Sequence, residues 1–388
     1  MRKVFFVIPI VAVVVVAGVV LVFTQQGQPS QGGPYGPPSS SSSNAGGTVK
    51  YKTVSFTDTQ GIGTKAFSML IPSDWQSEGT IEWKLDIVSM PVAGEFRAWN
   101  PNGNEEFNLF PNQAFFWSDN PMTQQTFPAG SHYFGALVHS PQLVLDALKD
   151  IALPLFRGDT ENLQIISRTT LPQVNGYFQT GTDPATGVVT SADAGKIRIE
   201  YTLNGVAMEE EMYCIIQAQD IPVQTLYGTS RNINWYMTYI ESFRAEKGKL
   251  DSQSKMFQTI SYFAKTDVNW LNKYNQVVNY LIQQQIQKIQ SLGQLSSIVS
   301  QTSNAISDAN MEAWQQSQNV KDQMGKDFSN SILNIQSYRN PIDGNTVDLP
   351  SGYSSAWTNS LGEYVLSDSP SYDPNIGSNL NWQQMTTP

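Results

Sequence analysis

Ile197-Arg198-Ile199-Glu200-Tyr201-Thr202-Leu203-Asn204-Gly205-Val206-Ala207-Met208-Glu209-Glu210-Glu211-Met212-Tyr213-Cys214 is the stretch that decides the fold. Ile197, Ile199, Tyr201 and Leu203 alternate with Arg198, Glu200 and Thr202, the period of a half-buried strand. Asn204-Gly205 follows, and both residue types tolerate the positive φ that a type I′ turn requires. The chain therefore turns back, and a return strand runs from Val206 to about Gln217. A two-residue turn also sets the pairing: Leu203 opposite Val206, Tyr201 opposite Met208 and Ile199 opposite Glu210. That register puts Glu210 on the apolar face with Met208, Met212 and Cys214.

The same period recurs upstream. Ile81, Trp83, Leu85 and Ile87 alternate with Glu82, Lys84 and Asp86. Phe96 and Ala98, then Phe107 and Leu109, flank Asn100-Pro101-Asn102-Gly103-Asn104, a density of turn formers that predicts a hairpin. One helix interrupts the strands. Ser140-Pro141 reads as its N-cap and first residue, and Leu143, Leu145, Leu148 and Ile151 carry it to Pro154. Residues 49–247 thus read as an α+β domain with a mainly antiparallel sheet.

The character changes near Ile221. No proline occurs between Pro222 and Pro341, and apolar residues recur at helical spacing from Phe257 to Val299. Residues 248–338 are expected to form a helical arm or helical hairpin. Its stripe serves either packing on the sheet domain or a coiled-coil seam between copies. Residues 339–388 return to turns and short strands. Ala356-Trp357-Thr358 and Glu363-Tyr364-Val365-Leu366 pair across Ser360-Leu361-Gly362, and Ser371-Tyr372-Asp373-Pro374 closes an aromatic hairpin.

At the other end, Val4 to Phe23 is an unbroken apolar run behind Arg2 and Lys3. About twenty helical residues span a bilayer core. The basic flank predicts a single-pass signal-anchor in the cell membrane, with everything beyond it extracytoplasmic. Val22-Phe23-Thr24-Gln25 is a poor cleavage site, which favours a retained anchor (residues 1–23) over a signal peptide. Residues 24–48, rich in Gln, Gly, Pro and Ser, read as a disordered tether. The formal charge of −10 and pI near 4.7 argue against nucleic acid and against a second contact with anionic lipid. The lone cysteine excludes an internal disulfide.

Chemistry is sparse. His132 and His139 have no third nitrogen or sulfur ligand nearby, so no metal site is expected, and Cys214 reads as a small buried hydrophobe. Gly61-Ile62-Gly63-Thr64-Lys65-Ala66 imitates a dinucleotide fingerprint. The strand that follows it, where the motif needs a helix, argues against that, and no cofactor is expected. Asp343 to Asp348 lacks a full calcium-loop pattern and reads as a turn. Glu210 is the candidate site residue: a buried carboxylate would have a raised pKa and need a partner. It is either a ligand-binding or acid/base group, or it is turned out by a bulge, or it pairs with a cation such as Arg198 or Arg168. If it points inward, Glu210→Gln is expected to change stability between about pH 4 and 7. Trp357, Tyr364 and Tyr372 are the other candidates. They form a recognition face for peptide or glycan, or the core of their own hairpin, or they dock it onto the helices.

Phe67-Ser68-Met69-Leu70-Ile71-Pro72-Ser73-Asp74-Trp75 resembles the opening strand of PsbP/Mog1-like domains, and Ile240-Glu241-Ser242-Phe243-Arg244 resembles the segment that leads into their closing helix. The resemblance covers residues 50–245 and implies an α+β fold and a binding or assembly role. The Trp357…Gly362-Glu363-Tyr364…Asp373-Pro374-Asn375 hairpin resembles a C-terminal module of uncharacterised bacterial envelope proteins. It is also similar to a WW domain without that domain's full third strand.

The expectation is a membrane-anchored, extracytoplasmic binding or scaffold protein, non-catalytic, with a protein or cell-envelope partner. Two alternatives stand beside it: an envelope hydrolase or transferase using carboxylates, and a coiled-coil protein that assembles into homo-oligomers through its helices.

Overall fold

The computed structural model describes residues 47–225, 228–284, 286–328 and 335–388. The expected anchor, and all but the last two residues of the tether, lie outside them. Among the described residues no helix is long and apolar enough to cross a membrane.

The described chain opens with hairpin β1 (Thr48–Thr57) and β2 (Lys65–Pro72). A second hairpin, β3 (Gln76–Trp83) and β4 (Val92–Trp99), leads into β5 (Glu106–Leu109) and β6 (Gln113–Ser118). After α1 (Pro121–Thr126) come β7 (His132–Tyr133) and β8 (Ala136–Val138). Helix α2 (Val144–Ala147) passes through a π turn (Leu148–Ala152) into α3 (Leu153–Arg157). Then follow β9 (Glu161–Thr170), α4 (Pro172–Asn175) and β10 (Gly181–Thr182). The long strands β11 (Val189–Leu203), β12 (Val206–Thr225) and β13 (Gly228–Glu246) form the centre. Helix α5 (Ser254–Phe263), β14 (Lys265–Thr266), α6 (Val268–Gln283), α7 (Leu292–Gln301) and α8 (Asp308–Phe328) come next. The chain ends with β15 (Ile335–Arg339), β16 (Thr346–Pro350), β17 (Ser355–Thr358), β18 (Glu363–Ser367) and β19 (Gln383–Gln384).

The fold is mixed α and β, and its sheets are mostly antiparallel. An eleven-stranded sheet runs β10-β11-β12-β13-β5-β4-β3, with β9 joined to β11, β6 to β13, β8 to β6 and β7 to β8. A six-stranded sheet runs β14-β2-β1-β18-β17-β19, so the C-terminal hairpin pairs with the first strand of the described chain.

Two hairpins expected from the sequence are present. Leu203 pairs with Val206, Tyr201 with Met208 and Ile199 with Glu210, around Asn204 and Gly205 at φ 50° and 80°. Trp99 pairs with Glu106 across the Asn/Pro/Gly turn. Leu203 to Cys214 is not a simple amphipathic hairpin, however: Glu210 through Ile216 is buried without interruption, because both faces of β12 are covered. Helices α2 and α3 cover one face over Ile197, Met212 and Trp235, while α5, α8 and β2 cover the other over Tyr213, Ile215 and Phe243.

Other expectations need correction. The strand through Ile81 ends at Trp83, and Leu85 and Ile87 lie in the connection to β4. Ser140-Pro141 precedes the helix instead of opening it. Helix α2 starts at Val144, whose N–H donates to Asp193 Oδ2 at 2.9 Å, a cap supplied by β11. Pro154 does not end the helix either. A proline ring collides with the carbonyl four residues back, and the widened π turn before Pro154 makes room for it. The helix runs on to Arg157.

The described residues of 248–338 hold a 3-10 turn (Asp251–Gln253) and four α-helices. Phe257, Ile260, Val320 and Met324 enter the core beneath the large sheet, and Val277, Leu281, Leu295 and Ile298 pack with Trp83. The apolar stripe thus meets strands of the same chain.

Candidate functional site

Glu210 points inward, fully buried, and its partner is Arg157. Arg157 Nε and Nη2 donate to the two carboxylate oxygens at 2.8 and 2.7 Å, and the Tyr201 hydroxyl donates at 2.6 Å. Burial pushes the Glu210 pKa up, but the guanidinium and the Ser242 and Tyr201 hydrogen bonds outweigh it and hold it below the ordinary carboxylate range. The raised pKa expected from burial alone is corrected by this pairing, which shifts the titration of Glu210 toward acid. The expected partners are occupied elsewhere. Arg198 bridges Glu209, Glu211 and Asp251, and Arg168 pairs with Asp146. A carboxylate saturated in this way suits a structural ion pair.

Trp357, Tyr364 and Tyr372 do not come together as one face. Trp357 pairs with Val365 and Thr358 with Tyr364, and successive residues of a strand point to opposite faces. Tyr364 is buried with Tyr51, Tyr338 and Leu366. Trp357 lies on the opposite face, and Tyr372 sits half-buried beyond the hairpin. Cys214 is buried in the core under α2 and α3, and burial pushes its thiol pKa well up. Among the described residues no cluster of His, Cys, Asp or Glu is placed to hold a metal ion.

The Gly61-Ile62-Gly63 segment is a hairpin loop wrapped around Asp58. This carboxylate is fully buried and accepts from the backbone N–H groups of Gln60, Gly61 and Ile62. It also accepts from Trp83 Nε1 at 3.0 Å and Trp270 Nε1 at 2.9 Å.

Trp270 forms part of the wall of a cavity of about 310 Å³ between the large sheet and helices α6 and α8. The cavity starts from a defect in β13. Glu241 pairs with Tyr213 and Thr238 with Ile215, so Tyr239 and Ile240 together oppose Cys214. Tyr239 takes φ 51°, a left-handed conformation that costs a bulky residue roughly 1–3 kcal/mol. On the other flank, Pro111 separates β5 from β6 and cannot donate to the ladder, while the Phe110 N–H donates to Ile240 O at 2.8 Å. The bulge turns both Thr238 and Tyr239 toward the cavity.

Seven aromatic side chains line the wall, among aliphatic and polar ones. Phe67 stacks on Phe96 at 4.0 Å, and Trp270 stacks on Tyr274, one helical turn on, at 5.2 Å. Gly79 lies directly opposite Phe96, and a Cβ there would meet the Phe96 ring at 2.5 Å, so glycine lets that ring lie flat. Polar groups of the wall are largely partnered. Gln217 Nε2 donates to Thr238 Oγ1, Asn275 Nδ2 donates to Asn310 Oδ1, and the Tyr239 hydroxyl bonds Ser317.

Lys321 is the exception. Its side chain lines the cavity at 5 % exposure, and among the described residues its Nζ has no hydrogen-bond partner. The Phe67 ring lies 5.5 Å from Nζ. Burial pushes the Lys321 pKa down, against the pull of Glu241 and with the push of Lys265. Glu241 sits behind it on β13, 1 % exposed. One carboxylate oxygen accepts from Ser261 Oγ at 2.9 Å and the other has no partner among the described residues. Burial raises the Glu241 pKa, and Lys321 and Ser261 oppose the rise.

Sequence reading passed over Lys321 because a lysine in a Gln-rich helix looks solvated. One signal was present: Val320 and Met324, four residues apart, put an apolar helix face beside it. A second, more polar groove of about 450 Å³, lined by Glu82, Glu95 and His132, adjoins the cavity and shares Met90, Val92 and Asn112 with it.

No protein-family model matches the chain, and no curated protein is similar to it.

Proposed function

We propose that this chain is an extracytoplasmic binding protein that holds a small, largely apolar ligand in the aromatic cavity. The Val4–Phe23 run anchors it to the membrane, and residues 24–48 carry the folded part clear of the surface. The observation that carries the reading is the cavity itself: a space of ligand size, partly lined by aromatic rings, with a single buried lysine amine in its wall that has no hydrogen-bond partner among the described residues. Such a site combines apolar affinity with one orienting polar group. A strained tyrosine at its rim is the kind of backbone cost found at functional sites. The resemblance of residues 50–245 to PsbP/Mog1-like domains agrees with a binding role.

The test is titration of the full-length protein with N-phenyl-1-naphthylamine, a neutral dye that brightens in apolar sites. Saturable one-site binding is expected, and Val278→Trp, which fills the cavity from α6, abolishes it while the melting transition is retained. Equal binding by wild type and the filled variant overturns the proposal.

A further inference from the structure

We propose that Lys321 is a carbonyl-reactive amine that condenses reversibly with a small aromatic aldehyde seated in the cavity. The inference rests on the cavity being a ligand site. Nζ is buried at the wall of an aromatic chamber that opens to solvent, and no hydrogen bond among the described residues holds it. A buried amine without a hydrogen-bonded counter-ion favours its neutral form, the nucleophilic one. Lys265 adds to this, because its charge disfavours a second cation nearby. Desolvated lysines in apolar pockets are activated in this way.

Glu241 decides which ligands fit. Burial already raises the pKa of Glu241 behind Lys321, and a carboxylate ligand would meet the same desolvation cost in this chamber. A neutral carbonyl has no charge to desolvate. The walls select for a flat ring, and the volume exceeds the roughly 150 Å³ that holds one benzene. A two-ring aldehyde is therefore the matching probe.

The chemistry balances without an oxidant or reductant. The Nζ lone pair attacks the carbonyl carbon, and one amine proton passes to the carbonyl oxygen, giving a carbinolamine. Its hydroxyl then leaves with the remaining amine proton as water, and a C=N bond forms.

The experiment treats the full-length protein with 2-naphthaldehyde and sodium cyanoborohydride, which reduces the imine to a stable amine, and maps modified lysines by peptide mass. Lys321 is expected to be labelled at least about tenfold faster than the exposed Lys65 and Lys149. N-phenyl-1-naphthylamine is expected to compete, and Lys321→Arg to lose the adduct with its melting transition intact. If Lys321 is labelled no faster than Lys65 while the dye still binds, the amine chemistry is wrong and the binding reading stands. If neither labelling nor dye binding occurs, both fall.

Discussion

The indole Nε1 of Trp270 donates to Oδ2 of Asp58 at 2.9 Å, joining two residues 212 positions apart. Trp83 Nε1 donates to the same carboxylate, so Asp58 fixes the β1–β2 loop, the end of β3 and the start of α6 together. The cavity wall formed by Trp270 depends on that knot. Asp58→Ala strands two buried indole N–H groups, each at roughly 1–3 kcal/mol. A loss of at least about 3 kcal/mol in urea unfolding is expected, with weaker dye binding at the cavity. Unchanged stability would show that the indoles find other partners.

Gly61 is required by the same knot. A Cβ at this position would lie 2.1 Å from Trp83 Nε1, so the Trp83 ring must move if it is present. Gly61→Ala is expected to cost roughly 1–3 kcal/mol, as overpacking does. With Trp83→Ala in the background the cost should nearly vanish, because the clash and its victim are then both gone. Additive losses in urea denaturation would place the effect in the backbone instead.

These couplings mark the line between what the sequence discloses and what it does not. The Asn204-Gly205 turn fixes register locally, and period two then carries Glu210 inward; no long-range knowledge is needed. Its partner Arg157 could not be found that way. It arrives through a helix that continues past Pro154 only because a π turn absorbs the proline. The C-terminal hairpin was legible as a hairpin, but the opposite facing of Trp357 and Tyr364 depends on the parity of the turn between them. Lys321 belongs to a cavity built from β13, α6 and α8, and a cavity leaves no local period to read.

Two buried glutamates should give opposite pH signatures. The folded-state pKa of Glu210 is depressed, so the unfolded chain binds the extra proton. Its stabilisation is present above the ordinary carboxylate value of about 4.3 and is lost as pH falls through the folded value. The folded-state pKa of Glu241 is raised. Its contribution is present below the ordinary value and is lost as pH rises through the folded value. Glu210→Gln should therefore cost roughly 3–5 kcal/mol at neutral pH, by leaving Arg157 unpaired, with the deficit shrinking in acid. Glu241→Gln should flatten the decline of stability from weakly acidic to neutral pH. Urea midpoints measured across that range decide it, and parallel curves for both variants and the wild type would refute both assignments.

The Lys321–Glu241 arrangement should also be a stability sink. Both groups are buried, yet they make no ion pair within 4 Å of each other, so each bears a desolvation cost that the other only partly offsets. Lys321→Met alone removes the buried amine but leaves Glu241 with less support for its charge. Glu241→Gln alone leaves the amine without its counter-charge. Replacing both together removes both costs, and the double variant is expected to gain roughly 1–4 kcal/mol over the wild type, more than the single changes sum to. The measurement is a double-mutant cycle in urea at neutral pH. A double variant several kcal/mol less stable than the wild type would mean that the pair holds the fold together. A gain in stability with loss of aldehyde labelling would mean that the fold carries these two residues for what the cavity does.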